Sequence, residues 1–210
     1  VQLSIPTTVV DKEGNELAQL SSSIVVDTAA ASTVSYPKNA LTPDAYLQFF
    51  TMHATIMVFF VLMPVLMGGF GNFLIPLMIG ARDMAFPKLN MLSFWLAAPS
   101  GAIILLGFFT PGGSSGGGWT MYPPFSRAEF SSQMGTNLWI ISVGLVGFST
   151  IVGTLNYITT IINMRAPGLS MFRLPLTIWS LLITSILALF ATPVITAAAI
   201  MLLFDRTIGT

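Results

Sequence analysis

Apolar residues fill four long stretches, approximately Leu47 to Ile79, Met91 to Phe109, Met134 to Ile162 and Leu174 to Phe204, separated by short polar breaks. A helix rising about 1.5 Å per residue needs roughly 20 residues to cross a hydrocarbon core of about 30 Å. In lipid the backbone must satisfy its own polar groups, and a helix does so within one segment. The pattern predicts an all-α membrane protein with four transmembrane helices and short loops over residues 46–210. The first stretch, about 33 residues or roughly 50 Å of helix, is too long to run straight across, so it must tilt, kink or protrude. Pro64 and Pro76 delete backbone donors there, and Gly68, Gly69 and Gly71 permit close approach of another helix. Residues 1–45 are the one polar region and read as an outer-side loop or tail: VDKEGNE as a turn, SIVV as a short strand, TAAAST as loop.

Composition sharpens this. The chain is 54% hydrophobic and 8% charged, against about a quarter charged in soluble domains. A net charge of zero and the lack of a basic tract give no argument for nucleic acid or for anionic lipid. With no cysteine, disulfides and thiolate metal ligation are excluded within these residues. A first residue Val1 without a signal-peptide pattern, and a last span followed only by FDRTIGT, lead us to expect a piece of something longer. Arg82, Lys88, Arg165 and Arg173 fall in the two loops of one side, which the positive-inside rule makes cytoplasmic. Both ends of the chain are then expected on the outer side. The loop PGGSSGGGWTMYPP lacks the Lys-Ser/Thr ending of a phosphate-binding loop, so nucleotide binding is discarded. It reads as a flexible outer loop with Trp119 and Tyr122 in the interfacial belt.

Three polar features interrupt the apolar spans. His53, the one histidine, sits about six residues below the outer end of its helix, or about 9 Å deep. Imidazole at that depth suits an axial metal or haem ligand, or else hydrogen-bonds a neighbouring helix's hydroxyl. Asp83 lies at the cytoplasmic end of the same helix, roughly 45 Å away along the path, so the two are no catalytic pair. It is either an ion pair with Arg82 or a proton collector. In the third span Ser149, Gly153, Asn156, Thr160 and Asn163 recur every three or four residues and form one stripe. Such a stripe glues helices together or lines a hydrated path.

Five separated motifs then carry a resemblance: MHATIMVFF with MP and GGFGN (52–72), PLMIGARDMAFPKLNMLSFW (76–95), GGWTMYPP (117–124), GFSTIVGTLNYITTIINMRAPG (147–168) and TPVITAAAIMLLFDRTIGT (192–210). In this order they resemble subunit I of the haem-copper terminal oxidases, the catalytic subunit of cytochrome c and quinol oxidases. The resemblance covers nearly everything after Leu47, and residues 1–45 match only in position. It implies roughly the second to fifth helices of a twelve-helix subunit in a proton-pumping enzyme that reduces oxygen to water.

Residue by residue, His53 resembles one of two axial histidines of the low-spin haem, of type a or b. Trp119 resembles a residue near the haem propionates, and Tyr46, two turns outward from His53, a propionate-side tyrosine. Asp83 resembles the entrance carboxylate of a proton path whose water-holding residues match Asn72, Asn90, Ser149, Thr150 and Asn156. The second axial ligand, the ligands of the high-spin haem and copper, and the glutamate ending the path lie in the family on later helices, so these residues alone cannot reduce oxygen. The implied partners are the remaining helices of subunit I, oxidase subunits II and III, the bilayer, and cytochrome c or quinol as donor. The implied location is a bacterial plasma membrane or a mitochondrial inner membrane. Arg82 stands where many cytochrome c oxidases have proline; GARD resembles the quinol branch and GGFGN the cytochrome c branch. A haem-free proton-conducting transporter or channel is the rival from another class, and a nitric-oxide-reducing relative is disfavoured by DMAFP and FGN.

Overall fold

The computed structural model describes residues 4–10, 16–23 and 41–209. It divides into two units, residues 1–42 and 43–210. In the first, strand β1 (Ser4–Val10) pairs antiparallel with β2 (Glu16–Ser23), with an irregularity between Val9 and Val10. This hairpin was not among the expected elements. The turn expected over VDKEGNE falls at residues 11–15, outside the described residues. The strand expected at SIVV falls outside them from Ile24 onward, as does all of TAAAST.

In the second unit four helices are long and apolar enough to cross a membrane: Pro43–Ile79, Pro87–Phe109, Gln133–Asn163 and Leu176–Ile208. They fall where the apolar runs predicted, within a few residues at each end. The first is not one regular helix. It begins as α1 (Pro43–Thr55), widens into two π-helical segments, Ile56–Leu62 and Pro64–Gly71, and ends as α2 (Asn72–Ile79). The second π segment starts at Pro64, whose ring would clash with the carbonyl four residues back in a regular helix. Wider winding relieves that clash. Gly80, with φ of 76°, then stops α2 in the left-handed conformation open to glycine.

The remaining spans are α3 (Pro87–Leu106), continued by a 3-10 turn at Gly107–Phe109, α4 (Gln133–Asn163) and α5 (Leu176–Ile208). Helix α4 is the centre: half of its most apolar window is buried, against 6–17% for the other spans. Because lipid is as apolar as leucine, close approach and hydrogen bonds must hold such helices together. Two serine pairs staple α3 to α4. Ser100 Oγ donates to Ser142 O and Ser142 Oγ to Ser100 O, both at 2.8 Å, and two turns away Ser149 Oγ donates to Ser93 O at 2.6 Å. Against α5, a Cβ added at Gly147 would lie 2.1 Å from Thr196 Oγ1, so only glycine permits that crossing. Of the three glycines in the first span, Gly71 alone allows a close approach, to the Tyr157 ring; a Cβ at Gly68 would meet nothing within 4 Å.

Two apolar clusters mark the two ends. Ile75, Ile79, Met84, Ile161 and Ile178 pack at the end where Ala166 N–H donates to Ile79 O at 2.9 Å. Met52, Ile104, Met121, Trp139 and Ile140 pack toward the other. The Gly-rich loop at that second end departs from the flexible loop expected. Ser114 and Ser115 are buried, Gln48 bonds Gly112 O and Ser114 N–H, and Ser132 Oγ donates to Ser114 O at 3.1 Å. Its glycines admit close packing against α1 and α4, and a Cβ at Gly135 would sit 2.0 Å from Gly113 O.

Candidate functional site

His53 lies in the last turn of α1, and its side chain is exposed. Tyr46, Phe50 and Met57, spaced three or four residues apart around it, are exposed on the same face. No side-chain hydrogen bond engages His53 among the described residues, so the alternative of an imidazole satisfied by a neighbouring hydroxyl is not realised within this bundle. Thr51, Met52 and Thr55 are buried. The sequence folds this way because α1 presents its hydroxyls to the bundle and its aromatic face outward. Trp119 does not join His53 and Tyr46 on that face; it packs its ring against Phe59, 6.2 Å between centroids, and stays partly exposed.

At the other end Asp83 is exposed, and its Oδ1 accepts the Met84 N–H at 2.7 Å. It forms no ion pair with Arg82 among the described residues. Asp83 opens onto a cavity of about 730 Å³ that Asn72, Asn90, Ser149 and Thr150 also line. Five of the six residues matched to a proton path thus share one space. Asn156 is the sixth and stands apart from the lining. It is fully buried, and its Oδ1 accepts the Phe86 N–H at 2.9 Å. One turn on, Thr160 Oγ1 accepts the Ala85 N–H at 2.9 Å. These two residues clamp the loop that carries Asp83.

The stripe on α4 therefore both bonds neighbouring segments and lines a cavity. Ser149 bonds α3 while lining the cavity, Asn156 and Thr160 anchor the loop, and Asn163 is exposed past the cavity. Polar capacity is left over here: Asn72 Oδ1 and Asn156 Nδ2 are buried with no hydrogen-bond partner. Buried polar groups of this kind ordinarily bind ordered water, and the space beside Asn72 is far larger than one water requires.

Sequence reasoning passed over several residues here. Ser93 and Tyr157 line the cavity, and Tyr157 Oη donates to Met67 O in the π-helical segment. Ser93 follows Asn90 by three positions, a helical spacing that could have found it. Arg206 is 7% exposed, and its guanidinium forms no ion pair among the described residues. It donates instead to Asn137 Oδ1 at 2.8 Å, Ser126 O at 2.6 Å, Ser131 Oγ at 2.8 Å and Ser132 O at 3.2 Å, tying α5 to the start of α4 and the loop before it. No spacing rule points to those four partners.

Residues 17–210 match the family model described as cytochrome c and quinol oxidase polypeptide I. The chain is 49% identical over 170 residues to cytochrome c oxidase subunit 1 of Thermostichus vulcanus, covering 81% of this chain and 30% of that one. It is 48% identical over 169 residues to the protein named probable cytochrome c oxidase subunit 1-beta of Nocardia farcinica, covering 80% of this chain and 29% of that one. The chain thus spans about three-tenths of the length of these relatives. With four membrane-spanning helices, the motifs in family order and these matches together, the chain is an integral membrane protein that belongs to the cytochrome c and quinol oxidase polypeptide I family.

Proposed function

We propose that these residues form part of the catalytic subunit of a proton-pumping haem-copper oxidase that reduces oxygen to water. They contribute one axial ligand of a low-spin haem and the entrance of a proton-uptake path. The observation that carries the reading is the separation of two polar sites to opposite ends of one bundle. An imidazole without a hydrogen-bond partner among the described residues is exposed at one end, and a carboxylate opens on a cavity of about 730 Å³ at the other.

The residues fit a haem on one side. His53 offers a ring nitrogen from a face otherwise built of Tyr46, Phe50 and Met57, apolar and aromatic surroundings suited to a porphyrin. Tyr46 can donate to a propionate, whereas Trp119, packed against Phe59 away from that face, lends the reading no support. Bound there, the haem, of type a or b, supplies reversible one-electron transfer. The second axial ligand, the high-spin haem and the copper belong to later helices of the subunit. Those helices are also the natural cover for the exposed apolar faces of the first, second and fourth spans.

At the opposite end Asp83 collects protons from the aqueous side, and Asn72, Asn90, Ser149 and Thr150 hold the waters through which they move. Asn156 keeps the loop of Asp83 in place. Residues 1–45 form an outer-side segment and 46–210 the helical part, with both ends of the chain outside. Subunits II and III and a cytochrome c or quinol donor complete the assembly, in a bacterial plasma membrane or a mitochondrial inner membrane.

The test is a reduced-minus-oxidised optical spectrum of the intact complex with His53 and with His53→Ala. Loss of the low-spin haem band in the variant is the expected result. A spectrum unchanged by the substitution would refute the ligand role, and a complex without haem would decide for a proton transporter.

A further inference from the structure

We infer that Gln48, Thr51 and Thr55 form a hydrogen-bonded ladder that fixes the rotation of α1, with Trp139 as the positioning residue at its deep end, and so directs the His53 imidazole. The inference rests on the reading of His53 as a haem ligand and concerns how this chain aims that ligand.

At about 100° per residue, positions 48, 51 and 55 fall on one stripe of α1, while 46 and 53 lie roughly 150° around the helix. Every rung of the stripe is bonded. Gln48 Nε2 donates to Gly112 O at 3.1 Å, and Gln48 Oε1 accepts the Ser114 N–H at 3.1 Å. Thr51 Oγ1 accepts the Gly118 N–H at 2.9 Å. Thr55 Oγ1 donates to Thr51 O at 2.8 Å and accepts the Trp139 indole N–H at 3.0 Å. Thr51 and Thr55 are fully buried and Trp139 is 7% exposed, so these groups have no water to fall back on.

Apolar contact cannot choose a helix rotation in lipid, because any face of α1 is nearly as content against tails as against leucine. Directional bonds can. Turning α1 by one residue would break every rung, bury His53 and leave buried hydroxyls, an amide and an indole N–H unpaired, each lost bond weakening that arrangement. The indole carries a single donor and no acceptor, so Thr55 is its whole satisfaction here. The same rungs hold Gly112 to Gly118, hence the backbone next to Trp119, on the helix that bears His53. Ligand and loop tryptophan share one frame, built from packed groups on rigid elements as a precise site requires.

The orientation of an axial imidazole is read directly in the electron paramagnetic resonance of an oxidised low-spin haem, and the rungs are read in amide exchange. In the assembled oxidase, Thr55→Val and Trp139→Phe should shift the largest g value while leaving haem content at the wild-type level. Thr55→Ser, which keeps the hydroxyl, should restore the position. Thr51→Val should speed exchange of the Gly118 amide about tenfold, the scale of one lost hydrogen bond. An unshifted signal in both Thr55→Val and Trp139→Phe, or a Thr55→Ser signal displaced as far as that of Thr55→Val, would overturn the proposal. Should the buried variants fail to assemble, Gln48→Leu at the outermost rung decides: faster exchange at Ser114 supports the ladder, and unchanged exchange overturns it. His53→Ala measured beside them separates the two claims. A low-spin signal retained in that variant removes the ligand reading. Its loss there, with wild-type g values in Thr55→Val, removes only the ladder's role.

Discussion

The end of the bundle that carries His53 and the end that carries Asp83 use the same residue types in opposite ways. Around His53, Gln48, Thr51, Thr55, Trp139 and Arg206 each find backbone or side-chain partners, and among the described buried side-chain polar atoms at this end Ser114 Oγ is the exception. Around Asp83, amides and hydroxyls line open space and two buried amide atoms go unpaired. A saturated network rigidifies and specifies one arrangement. An unsaturated one beside a cavity has capacity left for water. The contrast suits the roles proposed above, a haem ligand held still at one end and proton uptake at the other.

That comparison can be broken experimentally. The largest effect is expected at Arg206. Its four bonds leave buried partners stranded when it goes, so Arg206→Met should lower the stability of the assembled complex by about 3 kcal/mol or more, given about 1.5–3 kcal/mol for a bond to a charged group. Thermal unfolding in detergent measures it, and an unchanged midpoint would show that the closed end does not depend on its saturated network.

Next comes Asp83→Asn. It keeps the shape and the oxygen that caps Met84 but replaces the carboxyl group with an amide that cannot act as an acid or base. Oxygen consumption should fall at least about tenfold, or about 1.4 kcal/mol of barrier, while stopped-flow reduction of the low-spin haem stays fast. Normal turnover with normal proton release from vesicles would leave the uptake role without support.

The two serine staples sharpen the contrast, since both tie α3 to α4 but only one faces the cavity. Ser100→Ala and Ser149→Ala should each cost about 1 kcal/mol of stability, with turnover reduced only in Ser149→Ala. Equal turnover in the two variants would argue that Ser149 is purely a staple. The smallest effect is expected at Arg82. It is exposed and makes no ion pair with Asp83, so Arg82→Ala should change stability by no more than about 0.5 kcal/mol. A larger loss of stability would point to a partner outside these four helices.

What could be read without coordinates was whatever depends on local period and on the cost of polarity in lipid. Run length and apolar content placed the four spans, and the solitary imidazole and the loop carboxylate stood out because such groups are expensive there. The three-and-four spacing on α4 identified one face and left two uses open. Folding placed the residues differently: Ser149 meets a cavity and a carbonyl while Asn156 meets a loop amide.

The sequence by itself determined where four helices able to cross a membrane lie among the described residues, which family the chain resembles and which few residues are candidates for chemistry, because each follows from composition, spacing or motif. Tertiary structure alone decided how α1 is turned, why the Gly-rich loop is tightly held, and where Arg206 goes. The ladder from Gln48 to Trp139 joins residues up to 84 apart in the chain, and Arg206 bonds partners 69 to 80 positions away. No local period encodes such pairings, since they exist only once the helices have packed and each buried donor has taken the acceptor within its reach.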